Sequence, residues 1–258
     1  MSLLTVFILG LMRIAPIVSL SPFLGSKLPG GVKMGLTIAL VLIFLPHIAQ
    51  TTTIPVTFDI LFLFLSVKEI FVGLILGVLA TIPFYIAQSS GVFIDFMRGS
   101  SALQVTDPFM QTQTSPIGIL LNYVMVVIFF QLGGPFLFFD AIFQSYNMIP
   151  VDHVIHSYFF ASTQPFWKMI FGLLTRFLAV SLQLAAPSIV AILMAEMFLG
   201  IANRLAPQVQ IVFLGMSLKS LLGLGLLWAG WFFILKQMGN QSILWLHDLE
   251  KVLQSMKM

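Results

Sequence analysis

Cysteine is absent from the 258-residue chain. That excludes a disulfide framework, a thiol nucleophile and any Cys-ligated metal, and it leaves no redox mark of compartment. Charge is scarce too: Asp, Glu, Lys and Arg supply 8% of the residues, against about a quarter in soluble domains. A soluble monomer is thereby excluded, because a chain that is 59% hydrophobic has too little polar surface to face water. The formal net charge of +3 is spread out and offers no basic stripe for nucleic acid. No glycine-rich phosphate loop, Ser/His/Asp arrangement or convincing acid pair is present, so the sequence offers no catalytic constellation. The N-terminal MSLLTVFILGLMRIAP has no basic residue ahead of its apolar run and no clear small-residue cleavage site. It reads as retained, not as a removed signal peptide.

What the chain does have is long apolar runs, with a mean hydropathy of +1.05. Six blocks stand out, at residues 3–20, 32–48, 58–86, 117–139, 166–199 and 211–235. Each is near or above the roughly 20 residues that cross a bilayer as a helix. The expected fold is all-α: a polytopic helical membrane protein with about six long, partly broken helices. The third and fifth blocks contain Pro83 and Pro187, which are expected to bend or split them. Two connections, 88–118 and 140–164, are polar and read as loops. The tail from Lys236 places Ile243, Leu246, Leu249, Val252 and Leu253 at helical spacing and is expected to be a short amphipathic helix. The chain thus divides into residues 1–165 with a polar stretch at about 88–115, the last two apolar blocks within 166–235, and an amphipathic tail at 236–258. Orientation is not set: Lys27, Lys33, Arg98 and Arg204 tie with Lys168, Lys236, Lys251 and Lys257 on the other side.

Charges and small residues share helix faces. Glu69, beside Lys68, lies four residues before Gly73 and eight before Gly77. These residues form one stripe where a second backbone can come close. Gly215, Lys219 and Gly223 repeat the pattern, while Arg13 follows Gly10 and Arg176 follows Gly172. In the stretch APSIVAILMAEMFLGIANRLAPQ, Glu196 and Arg204 lie between Pro187 and Pro207. An ionised group at the bilayer centre costs about 2.5–3.5 kcal/mol or more, so these residues pair or line water. Two readings stand: interhelical glue, or an ion relay through Glu69 or Glu196. The second would suit an ion-coupled small-molecule transporter. No inverted repeat supports that reading, and no coupling loop marks the membrane subunit of an ATP-driven permease.

His153 and His156, with Asp152 beside them, have a spacing compatible with metal binding, but no third or fourth ligand is evident. They read as part of a polar loop, in preference to a metal site. In the long loop, DPFMQ spans Asp107, Pro108, Phe109, Met110 and Gln111 and sets two bulky apolar groups amid Ser, Thr and Gln. Such a pair seals a gap or anchors the loop.

Several segments together resemble one family. They are RIAPIVSLSPFLGSKLPGGVK, KEIFVGLILG, DPFMQTQTSPIGILL followed by Gly133-Gly134 and SYNMIP, and AAPSIV through NRLAPQVQIVFLGMSLK. In order and spacing they resemble the export-gate T subunit of bacterial type III secretion systems, the SpaR/YscT/HrcT (SctT) family. The flagellar counterpart is the R subunit of the flagellar export gate. The run SPIG and the glycine pair look more like the injectisome branch. With no catalytic constellation and no further ligands beside His153 and His156, the chain is expected to be no enzyme and to use no cofactor or metal; the resemblance implies a core subunit of the inner-membrane export gate. It implies assembly with two smaller membrane subunits, of R and S type, into a closed cone around a pore for unfolded substrates. An autocleaving switch subunit of U type and a nonameric export ring of V type work alongside. It further implies a plug at 99–115 and a helical hairpin at about 166–235 whose tip includes Arg204, Pro207 and Gln208. Glu196 and Arg204 would then meet partner side chains.

Overall fold

In the computed structural model the described residues are 3–25, 28–52, 58–99, 115–153, 165–205 and 211–255. Their regular elements are all α-helices: α1 (Leu3–Leu20), α2 (Gly30–Thr51), α3 (Ile60–Met97), α4 (Pro116–Gln131), α5 (Gly134–Met148), α6 (Pro165–Leu205), α7 (Ile211–Ala229) and α8 (Trp231–Ser255). Four of these are long and apolar enough to cross a membrane, or up to six spans if each of two broken pairs counts as one. The protein is a polytopic helical membrane protein.

Four boundaries differ from the sequence reading. α3 continues eleven residues past Ile86 to Met97, through Pro83, because Phe84, Ala87, Ser90, Gly91, Ile94 and Asp95 keep one buried stripe at helical spacing. Residues 88–97 are therefore helix rather than loop. The fourth block is not continuous: it breaks at Leu132 and Gly133, where Gly133 takes φ +70°, a left-handed conformation that glycine adopts without steric cost. The segment after 139 is not a loop at first, since α5 runs to Met148 and buries Phe138, Ala141, Ile142, Ser145 and Tyr146. Its polar residues lower the hydropathy but leave the period intact. Finally, the sixth block ends at Ala229, and α8 begins at Trp231 and carries the amphipathic tail as one helix. Pro187 lies inside a continuous α6, a helix about 60 Å long at 1.5 Å per residue.

The chain divides into two compact units. One comprises residues 1–82, 129–173 and 242–258; the other comprises 83–128 and 174–241. In the first unit α1 buries Val6, Leu9, Arg13, Ile14, Ile17 and Val18 along one stripe. A Cβ added at Gly10 would stand 3.1 Å from Val41 and 3.2 Å from Ile48, so α1 and α2 pack closely there. Gly73 and Gly77 bring α3 against α1: a Cβ at Gly73 would collide with the Arg13 carbonyl, and one at Gly77 would lie 3.3 Å from the Pro16 oxygen. In the second unit Gly91 lies against the Gly118 backbone, and Gln88 Oε1 accepts a hydrogen bond of 3.0 Å from Asn122 Nδ2. Small residues thus let backbones approach where no hydrophobic gain over lipid drives helices together.

Candidate functional site

The first unit is built around a fully buried ion cluster. Arg13, at 0% exposure, sits on the core stripe of α1, and Glu69, also 0% exposed, sits one turn before Gly73 on α3. Arg13 Nε donates to Glu69 Oε2 at 2.5 Å and its NH2 donates to Oε1 at 2.9 Å. This is the bidentate fork in which a guanidinium matches a carboxylate best. The close approach at Gly73 is what brings the two side chains within reach.

The remaining donors of Arg13 are also used. NH1 reaches Ser145 Oγ at 3.2 Å and NH2 reaches the Ile149 carbonyl at 2.7 Å, while the guanidinium carbon lies 4.1 Å from the centroid of the Tyr146 ring. That placement adds a cation–π contact. Lys68 completes the cluster. Its Nζ is 2.6 Å from Glu69 Oε1 and donates to the carbonyls of Pro150 at 2.7 Å, Val151 at 3.3 Å and His153 at 3.1 Å. Two cations therefore engage carbonyls just past the end of α5, at the negative end of the helix dipole. The cluster pins α1, α3 and α5 to one another.

A second ionic knot lies in the other unit. The Asp95 carboxylate accepts from Arg98, from Ser115 Oγ at 2.5 Å and from the Ile117 amide at 3.0 Å. Ser115 Oγ in turn accepts from the Gly118 amide at 3.0 Å, so Asp95 and Ser115 together cap the start of α4. Arg98 NH1 donates to Ser220 Oγ of α7 at 3.1 Å. This knot joins the residues flanking 100–114. The sequence reading missed it, although Asp95 and Arg98 at i,i+3 were the available signal.

The residues singled out from sequence fall into three groups. Lys68, Glu69, Gly73 and Gly77 come together in the first unit, and their neighbours are α1 and α5 of the same chain. Glu196 on α6 meets Lys219 on α7 at 2.7 Å in the second unit. There Gly215 lies against Leu199, and Gly223 against Ile192 and Arg98. Arg204 is exposed in the last turn of α6, where a cation favours the helix dipole. Asp107, Pro108, Phe109, Met110, Gln111, Pro207 and Gln208 lie outside the described residues, as does His156. Among the described residues no group of three His, Cys, Asp or Glu is placed to hold a metal ion; His153 is exposed and engages Lys68 through its carbonyl.

Apolar helices locked by internal ion pairs define a multi-pass membrane protein with a structural polar core. The comparison with known proteins is specific. The profile of bacterial export proteins, family 1, matches residues 4–243, and the chain belongs to that family. It is similar to the Yop proteins translocation protein T of Yersinia pestis, at 35% identity over 77% of this chain and 75% of that protein. It is also similar to the secretion system apparatus protein SsaT of Salmonella typhimurium, at 27% identity over 83% of this chain and 80% of that protein. The flagellar biosynthetic protein FliR of Bacillus subtilis is 26% identical over 83% of this chain and 81% of that protein. The chain is accordingly a component of a type III secretion export apparatus in the bacterial inner membrane, and its relatives are parts of such apparatus.

Proposed function

We propose that this chain is a non-catalytic core subunit of the export gate that helps to form and seal the pore for unfolded substrate proteins. The family match over residues 4–243 carries this reading. The R- and S-type membrane subunits pack with it around the pore, and the U-type switch subunit and V-type ring act beside it. Hairpin α6–α7, with Arg204, Pro207 and Gln208 at its tip, contributes to the packing against those subunits. The 35% identity to a translocation protein, against 26% to a flagellar protein, supports an injectisome-type apparatus.

Residues 99–115 supply the plug, with Asp107 to Gln111 at its centre. The Asp95 knot supports this assignment, because it fixes the flanks Arg98 and Ser115 from which such a segment would hang. Phe109 and Met110 exclude water from the narrowest point. The test is Phe109→Ala with Met110→Ala, co-expressed with the partner subunits. The expected result is a complex assembled at normal yield that conducts ions in planar bilayers. An assembled, ion-tight double variant would assign the seal to the other subunits.

A further inference from the structure

The groove between α2 and α5 in the first unit carries a charge that no cation among the described residues is seen to pair. Leu40, Ile43 and Phe44 of α2 face Phe139, Asp140 and Phe143 of α5 across an open groove of about 500 Å³. The spacing on both helices is three and four, so each trio lies on one face over a single helical turn. Its floor is aromatic: the Phe44 ring centroid lies 6.5 Å from that of Phe139 and 6.3 Å from that of Phe143, and His47 stacks on Phe143 at 3.5 Å. Asp140 is exposed on this wall. Among the described residues its carboxylate has one partner, the neutral Gln144 amide at 2.9 Å.

Two further observations narrow the occupant. α2 is the least covered of the four single-helix candidate spans, with 22% of its apolar window buried against 33–61% for the others. Its buried residues, Thr37, Val41, Phe44 and Ile48, occupy one stripe, and Ile43 beside them is 71% exposed. An apolar groove one helical turn long on each wall is a place where the side-chain ridge of a third helix can pack. An ionised carboxylate on that wall is unfavourable against lipid tails and favourable against a cation.

We propose that this groove receives one membrane helix of another export-apparatus subunit, apolar on the docking face except for a lysine or arginine that pairs with Asp140. The proposal rests on the chain working inside an export gate. Asp140 fixes the register of the docked helix, and Leu40, Ile43 and Phe143 supply the apolar contact.

The test places a photo-crosslinking amino acid at Ile43 in the full chain, co-expressed with the other export subunits in membranes. The expected adduct is a peptide of a different membrane subunit with a basic residue within one helical turn of the crosslinked position. Asp140→Asn should lower that adduct roughly thirtyfold or more, as loss of a desolvated charge partner does, while Asp140→Glu retains it. Both changes sit at an exposed position, so chain abundance should hold. Adducts only with lipid, with a second copy of this chain or with a helix lacking a basic residue would overturn the proposal. So would an adduct indifferent to Asp140→Asn. Failure of the unmodified chain to co-purify with any export subunit would instead defeat the proposed function; co-purification without an Ile43 adduct would defeat the groove alone.

Discussion

Replacing Glu69 by alanine tests whether the buried cluster holds the fold or moves charge. Glu69 is the carboxylate that contacts both Arg13 and Lys68, and all three side chains are at most 4% exposed. Without it Arg13 retains Ser145 Oγ and the Ile149 carbonyl, and Lys68 retains three carbonyls. Those are neutral acceptors. Breaking a buried pair from one side costs about 3–5 kcal/mol, a large part of the roughly 5–15 kcal/mol that holds a typical protein folded. At about 1.4 kcal/mol per tenfold, the folded-to-unfolded ratio should fall by two to three and a half orders of magnitude. The expected outcome is a chain that is degraded or fails to enter the complex, seen by membrane immunoblot and by co-purification yield. Pairing Glu69→Leu with Arg13→Met removes the stranded guanidinium and should recover part of the loss. Equilibrium unfolding in mixed micelles should show the two changes coupled by roughly 1–3 kcal/mol. Two results would refute the reasoning: additive costs, or Glu69→Ala complexes at normal yield that no longer secrete. The second would assign Glu69 to a relay.

Gly73→Leu should abolish stable accumulation of the chain itself, before any partner is involved, because its Cβ would meet the Arg13 carbonyl carbon at 2.9 Å; expressing the chain without partners and measuring its abundance checks this. Asp95→Ala should cost about 3 kcal/mol by stranding Arg98 and uncapping α4, whereas Ser115→Ala should cost about 1 kcal/mol; thermal unfolding of the purified complex should rank them in that order. Lys219→Ala leaves Glu196 half exposed, and a pair of that kind is worth at most about 1 kcal/mol, so unfolding midpoints should barely move, and a strong assembly defect would show that Glu196 is covered in the complex.

The local half of this arrangement was legible in the sequence. The four-residue steps from Glu69 to Gly77 announced a stripe that another backbone approaches, because helix period is a property of the chain itself. Sequence could not supply the partner: Arg13 is 56 residues away in sequence, and no short-range pattern links them. The carbonyls that Lys68 engages, at 150, 151 and 153, lay in a segment discounted as polar loop. Hydropathy failed there because it averages over all faces of a helix. Tyr146 and Ser145 count as polar in that average, yet they are buried against Arg13. The same averaging ended α3 too early, since Gln88 and Asp95 turn toward α4 rather than lipid, and Ser90 is buried with its hydroxyl on the Ala87 carbonyl of its own helix.

Charge neutralisation within each unit explains how so apolar a chain can carry ionised groups at all. Glu69 is met by Arg13 and Lys68, Asp95 by Arg98, and Glu196 by Lys219. In each case both partners belong to the same compact unit. A body neutralised in this way presents mainly apolar faces outward. Among its exposed apolar side chains are Phe136 at 81% and Trp228 at 81%. Neighbouring subunits therefore meet it chiefly through van der Waals packing of shape-matched helices, which by itself discriminates weakly between one apolar helix and another. Specific recognition falls to the few ionised groups the unit leaves unneutralised. On the described surface of the first unit Asp140 is such a group, because Gln144 offers it a hydrogen bond without a charge.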